Sequence, residues 1–77
     1  MTEFSRPEKH SLTLNGHRTS VSLEPQFWRA FRQMADDLDK PINVLAAEID
    51  VARGEECGLA SAIRLQVLAW YAQGAKR

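Results

Sequence analysis

The sequence predicts a small, mainly α-helical domain that begins with a short two-stranded β-ribbon and continues with three helices. Polar and apolar residues alternate on both sides of Asn15-Gly16, which is the pattern of a β-hairpin. After Pro25, apolar residues recur at helical spacing in three successive stretches. The prediction is an N-terminal arm at 1–8 and one domain at 9–77, with a hairpin at 9–23 and helices at 25–38, 42–53 and 60–73.

The hairpin has two chemically different faces. A two-residue type I′ turn at Asn15-Gly16 pairs Leu14 with His17, and this pair sets the register of both strands. The apolar residues of the two strands then share one face. The other face carries a guanidinium, an ammonium and hydroxyls, which can bind base edges or phosphates, although a solvated sheet face has the same pattern. Its residues are Lys9, Ser11, Thr13, Arg18, Ser20 and Ser22.

The first two helices present apolar stripes to a core. The first stripe is Phe27, Phe31, Met34, Ala35 and Leu38, widened by Trp28, and the second is Ile42, Leu45, Ala46 and Ile49. Free amides at the start of the second helix, at Ile42 and Asn43, form a site that favours anions.

The third helix is apolar over an unusually wide surface. Its stripe is Ile63, Val67, Trp70 and Tyr71, broadened by Ala62, Leu65, Leu68 and Ala69. Such a helix is expected to be buried against the second helix or against a partner chain.

Composition restricts the class of protein. At 77 residues the chain is one domain, and a core of that size usually needs a disulfide, a metal or a second subunit. Cys57 is the only cysteine, and the histidines His10 and His17 have no metal-ligand spacing with it. We therefore expect a homo-oligomer without metal or cofactor. No catalytic motif is present, so no enzyme is predicted.

The single free cysteine, the lack of an apolar export signal and the lack of a membrane-length apolar run predict a cytoplasmic protein. The net charge is zero, but acidic residues concentrate in 36–56 while basic residues prevail before and after that range. A neutral chain with this distribution can still present a positive face. Residues 1–8, which contain Pro7, read as a flexible arm that either frays or brings Arg6 to a phosphate.

Several segments resemble the ribbon-helix-helix proteins of the Arc and methionine repressor type. The resemblance lies in Arg18-Thr-Ser-Val-Ser-Leu23, in the helix with Phe27 and Phe31, and in the Ile42–Ile49 helix. From Lys9 to Tyr71 the chain resembles a bacterial subgroup with a third helix, through Lys-x-Ser-x-x-x-Asn-Gly-His-Arg-Thr-Ser-x-Ser-Leu-Glu, Phe27-Trp28 and Ala47-Glu48-Ile49-Asp50.

The resemblance implies an intertwined homodimer in which one strand of each chain pairs antiparallel and the ribbon enters the major groove of double-stranded DNA. Arg18, Ser20 and Ser22 would contact bases. Phosphates would be held by Lys9 and by the amides around Ile42 and Asn43, although Pro41 stands where relatives have a capping Ser or Thr. The dimer core would contain Val21, Leu23, Phe27, Phe31, Leu45 and Ile49.

Two hypotheses follow. In the first, the protein is a sequence-specific DNA-binding regulator. In the second, the same dimer is a protein-interaction module or antitoxin-like partner, which uses the polar sheet or the third helix around Trp70 and Tyr71. If the first strand pairs with one edge of the second, a dimer has a four-stranded sheet about 14 Å wide, against a groove of ~12 Å. The outer strands would then contact the DNA backbone, or the sheet has another role.

Overall fold

The computed structural model describes residues 4–74 and has the predicted architecture, a two-stranded antiparallel ribbon followed by three helices. Residues 1–3 of the predicted arm and 75–77 of the predicted domain lie outside this range. Between them, 4–7 have no regular secondary structure, and the first strand already begins at Glu8. The elements are β1 (Glu8–Leu14), β2 (His17–Leu23), α1 (Pro25–Asp37), α2 (Ile42–Ala52) and α3 (Leu59–Ala72).

The turn between β1 and β2 sets the register of the ribbon. Asn15 and Gly16 have φ values of 53° and 86°, the positive values that a type I′ turn requires at both central positions. Leu14 pairs with His17, and the same register continues to Glu8 and Leu23. The predicted pairing is therefore confirmed.

The helix α1 begins and ends for local reasons. Pro25 occupies its first turn, where the missing N–H costs no helical hydrogen bond. At the other end the N–H of Asp39 donates to Asp36 O and that of Lys40 donates to Ala35 O, both at 3.0 Å. This is a Schellman ending in which Asp39, at φ 60°, takes the left-handed position that glycine usually fills. The helix ends at Asp37, one residue before the predicted end.

One chain encloses a continuous hydrophobic core. The sheet packs its apolar face on the helices, with β1 against α2 and β2 against α1 and α3, while α3 also contacts α1 and α2. The largest fully buried side chains are Trp28, Phe31, Leu23 and Ile63. Within one chain, β1 and α3 already cover these core side chains, and the second subunit stays a prediction. Of the predicted dimer-core residues, Val21, Leu23, Phe31, Leu45 and Ile49 are buried within the single chain, and Phe27 is partly buried.

The helix α3 is buried on one side only. Ile63 and Val67 are in the core, and Trp70 packs against it, as predicted. Tyr71, which was expected to face inward, is exposed, and so are Leu65 and Leu68. The reason is geometric, since a helix docked on one layer can turn only one side of its circumference to it.

Aromatic contacts hold the start of β1 against α1. The indole Nε1 of Trp28 donates to Glu8 O at 2.9 Å, and the His10 ring stacks on the Trp28 ring with centroids 4.2 Å apart. Arg32 also lies over the indole, with its guanidinium carbon 5.8 Å from the Trp28 centroid. His10 is therefore a packed structural histidine.

Arg64 of α3 holds the end of β2. Its Nε donates to Glu24 Oε1 at 3.0 Å, and its Nη2 donates to Ser22 O at 3.4 Å. The Arg64 hydrogen bond, followed by a backbone hydrogen bond of Glu24 itself, lowers the pKa of Glu24 below its ordinary value of 4.5. The carboxylate form is thus favoured by folding.

Within residues 4–74, no helix is both long and apolar enough to cross a membrane.

Replacing Ile63 by alanine is expected to lower the free energy of unfolding by about 2–5 kcal/mol, because it leaves a cavity where a fully buried side chain was. Chemical denaturation monitored by circular dichroism measures the loss. Gln66→Ala is the matched control at an exposed position of the same helix and should change stability by less than about 0.5 kcal/mol. Equal effects of the two substitutions would contradict this packing of α3.

Glu24→Gln is expected to destabilise the protein at neutral pH and progressively less in acid. A carboxylate with a lowered folded pKa stabilises the fold above its unfolded pKa, and this contribution disappears as pH falls through the folded value. The difference in unfolding free energy between wild type and variant should therefore shrink below pH 4.5. Urea titrations over a pH series measure it. Glu55→Gln, at an exposed carboxylate of the 53–58 loop, is the control, and a pH-independent difference for Glu24→Gln would refute the assignment.

Candidate nucleic-acid interface

The side chains that point away from the core form one continuous polar face on the ribbon. Across the two strands Thr13 lies opposite Arg18, and Ser11 lies opposite Ser20. The polar face consists of Lys9, Ser11, Thr13, Arg18, Ser20 and Ser22. All six residues are exposed except Ser22, which is half-buried.

The three predicted base-contacting residues lie together on β2. Arg18, Ser20 and Ser22 occupy alternate positions of one strand, so that neighbouring side chains are separated by roughly 7 Å. Such a row can follow successive base pairs along a groove. The arrangement follows directly from the period-two alternation in the sequence.

Strand β1 adds Ser11 and Thr13 to the same face, two residues that the family resemblance did not assign to DNA. Both are exposed and directly opposite the β2 residues. The signal was present in the sequence, because the Asn-Gly turn and the alternation of β1 together put these hydroxyls beside Ser20 and Arg18.

The predicted phosphate contacts do not form one cluster. The Oδ1 of Asn43 accepts a hydrogen bond from the backbone N–H of Thr13 at 3.1 Å, which fixes the start of α2 at the turn end of β1. Lys9 lies four residues back along β1, roughly 13–14 Å from Thr13. The start of α2 therefore lies at the turn end of the ribbon, whereas Lys9 lies towards the other end, opposite Ser22.

The first turn of α2 retains free donors. Pro41 is the N-cap residue, and no side chain caps the helix. The amides of Val44 and Leu45 donate to Pro41 O at 3.0 and 3.1 Å, while Ile42 and Asn43 hold the positions whose amides have no helical acceptor. Since the Oδ1 of Asn43 already accepts from Thr13, the side-chain nitrogen of Asn43 is available as a donor. An open cleft of about 270 Å³ adjoins this turn, lined by Thr13, Asn15, Asn43, Val44, Ala47 and Glu48.

The two cations of the polar face take part in no ion pair of the described chain. On either side of α2, Lys40 pairs with Glu48 at 2.6 Å, and Arg53 pairs with Asp50 at 2.7 Å. Neither Lys9 nor Arg18 forms an ion pair within the described chain. No carboxylate belongs to the polar face, so its local charge is positive although the chain is neutral.

The outer edge of β2 is partly open. In a hairpin closed by the Leu14–His17 pair, the backbone groups of Arg18, Ser20 and Ser22 point away from β1. Ser22 O is engaged by Arg64 at 3.4 Å, whereas the exposed Arg18 and Ser20 present the rest of this edge to solvent. A second strand therefore has room at the Arg18 end.

The other chemically interesting residues do not assemble a site. His17 is exposed beside the turn, and Cys57 is half-buried with its Sγ 3.5 Å from Gly58 O. Across residues 4–74, no group of three or more His, Cys, Asp or Glu side chains is arranged to hold a metal ion.

A family model described as the ribbon-helix-helix domain matches residues 7–71, a range that includes both strands, α1, α2 and nearly all of α3. No curated protein and no solved structure matches the chain. The fold of this family is a regulatory, commonly DNA-binding one that typically dimerises and is not typically enzymatic. With the match covering most of the sequence and the ribbon preceding the helices as the family name states, the chain belongs to the ribbon-helix-helix family.

Proposed function

We propose that this protein is a sequence-specific DNA-binding regulator of transcription that acts as a homodimer in a bacterial cytoplasm. The observation that carries the proposal is the polar face, on which Lys9 and Arg18 stand free of carboxylates and between hydroxyl side chains. Arg18 is suited to guanine, whose O6 and N7 accept a bidentate pair of hydrogen bonds in the major groove. Ser20 and Ser22 add short donors and acceptors along the same strand.

The intersubunit ribbon of the proposal forms at the outer edge of β2. Antiparallel pairing with the partner's β2 uses the open backbone groups of Arg18 and Ser20. It is confined to that part of the edge, since Arg64 occupies Ser22 O. The β2 strands are then central in the groove, and each β1 becomes an outer strand of a sheet about 14 Å wide.

In this proposed sheet the outer strands would face the DNA backbone. Lys9, Ser11 and Thr13 lie at the rim of the sheet, where phosphates line a groove of ~12 Å. The start of α2 adjoins the same rim through the hydrogen bond between Asn43 and Thr13, and its free amides are oriented to receive a phosphate. Because Pro41 has neither an N–H nor a hydroxyl, the clamp depends on backbone amides and on the Asn43 side chain.

Arg18→Ala is expected to weaken DNA binding and to relax the preference at one base position, with a loss of about 1–3 kcal/mol for the guanine contact. Fluorescence anisotropy of labelled duplexes at several salt concentrations measures both effects. Arg29→Ala removes an equally exposed arginine of α1 that lies outside the polar face and serves as the control. DNA affinity that is unchanged in Arg18→Ala, or equally reduced in Arg29→Ala, would reject the proposed interface.

Lys9→Gln is expected to weaken binding equally for all sequences. Because the substitution removes a phosphate-binding cation, the slope of log affinity against log salt should become shallower by about one per protomer. Lys40→Gln is the control, since Lys40 is already paired with Glu48. A change in sequence preference with an unchanged salt slope would place Lys9 among the base-reading residues instead.

A second candidate function is protein binding, including an antitoxin-like role. The observation that favours it is Trp70, which lines a cleft between α1, α2 and α3. Its Nε1 is buried and has no acceptor in the described part of the chain. A protein partner that fills this cleft would contact the Trp70 side chain. Absence of DNA binding at low salt, together with a partner whose affinity is reduced by Trp70→Ala, would favour this function over the first.

A further inference from the structure

The outer side of α3 carries no charge and presents two exposed leucines. Arg64 is the only charged residue between Leu59 and Ala72, and its guanidinium is turned inward to Glu24 and Ser22 O. Leu65 and Leu68 are 59% and 63% exposed. Large apolar side chains that are exposed together on one helix face commonly mark an interaction surface. Within the described chain, nothing covers these two leucines.

Four of the exposed residues of α3 form a narrow seam along the helix, beside the exposed Gln66 and Tyr71. Successive seam positions are separated by four, three and four residues, which is the spacing of residues on one helix face and also that of a coiled-coil contact. Large side chains occupy the middle of the seam, and small ones occupy its ends, so that another helix can approach closely. The seam consists of Ser61, Leu65, Leu68 and Ala72.

We propose that α3 pairs antiparallel with α3 of a second copy of this chain, across a two-fold axis at the middle of the seam. In this register Leu65 packs against the partner's Leu68, and Ser61 faces the partner's Ala72. The pairing is isologous, so each leucine contact occurs twice. It uses a surface separate from the polar face and from the outer edge of β2.

The distribution of charge on and around α3 identifies a second copy of this chain as the molecule that covers the seam. An isologous contact brings like surfaces together, so a charged seam would repel itself, whereas this seam has no charge. The ends of α3 are oppositely charged in sequence, because Glu55-Glu56 precede the helix and Lys76-Arg77 follow it. Antiparallel pairing brings the N-terminal end of α3 in one copy, preceded in sequence by Glu55-Glu56, towards the C-terminal end of α3 in the other. Parallel pairing would put like charges together.

A cleft beside the seam offers space for the partner's side chains. It has a volume of about 310 Å³ and lies between the end of α2 and the first half of α3. Its walls are mostly apolar, and Val51 on the neighbouring α2 is 78% exposed. The residues that line it are Ile49, Ala52, Arg53, Cys57, Ala62, Leu65 and Gln66, of which Arg53 is paired with Asp50.

This interface goes beyond the proposed DNA-binding dimer. A dimer joined at the β2 edges would retain two α3 seams, and pairing through them would build an assembly larger than the dimer. The polar face would remain uncovered. The α3 pairing does not require DNA binding, so each proposal is tested separately.

Sedimentation velocity over a range of concentrations tests the pairing with the double variant Leu65→Glu/Leu68→Glu. Four carboxylates then meet at the two-fold axis, and the association step through α3 should weaken by at least about tenfold, so that the largest species loses half its mass. Val44→Glu, which adds a charge at an exposed apolar residue of α2, is the matched control and should leave the mass unchanged. Circular dichroism verifies that both variants are folded.

Disulfide crosslinking gives a second measurement that does not depend on the glutamate variants. In a Cys57→Ala background, L65C chains mixed with L68C chains should crosslink to each other readily, whereas V44C chains should not crosslink with either. A wild-type protein that stays monomeric, a mass unaffected by the double glutamate variant, or crosslinking no faster than with V44C would overturn the α3 pairing. If the wild-type protein is monomeric and a different protein binds it through a surface that includes Leu65, the seam is a binding site for that other protein. Failure of Arg18→Ala to affect DNA binding bears only on the DNA-binding proposal.

Discussion

The register of the β1–β2 hairpin is the constraint on which the rest of the structure depends. Positive φ values at Asn15 and Gly16 close a two-residue turn, and the Leu14–His17 pair then fixes every other pair of the ribbon. A slip of one residue would turn the apolar set outward and the polar set inward. The buried Leu23 and the exposed Arg18 are consequences of the same register. The core and the candidate interface are therefore specified together by one turn.

Side chains of the helices form hydrogen bonds with the ribbon backbone at three separate points. The backbone of Glu8 receives the Trp28 indole N–H, the turn end of β1 donates from Thr13 to Asn43, and the end of β2 is held by Arg64. A two-stranded hairpin alone is marginally stable in water, so these contacts and the buried apolar face keep it in one conformation. Groups that recognise DNA benefit from such rigidity, because less conformational entropy is lost on binding.

The sequence was sufficient for features that depend on local periodicity. The alternation about Asn15-Gly16 predicted the ribbon and its register, and the order of the helices followed from their stripes. It was insufficient where helix docking decides the outcome. The hydrogen bonds from Thr13 to Asn43 and from Arg64 to Ser22 join residues 30 and 42 positions apart, so no local sequence pattern predicts them. The same cause separates Lys9 from the start of α2 and leaves Leu65 in solvent, since the direction in which a wide apolar helix turns depends on its neighbours.

A net charge of zero is compatible with a DNA-binding surface because the charges are distributed unevenly between paired and unpaired groups. Lys40 and Arg53, which flank α2, are neutralised by acidic neighbours at hydrogen-bonding distance, and Arg64 is neutralised by Glu24. Such pairs have short-range fields that salt screens further. Lys9 and Arg18 have no such partner in the described chain, so their charges on the polar face are not neutralised by an ion pair. A polyanion at that face experiences this local field rather than the net charge of the molecule.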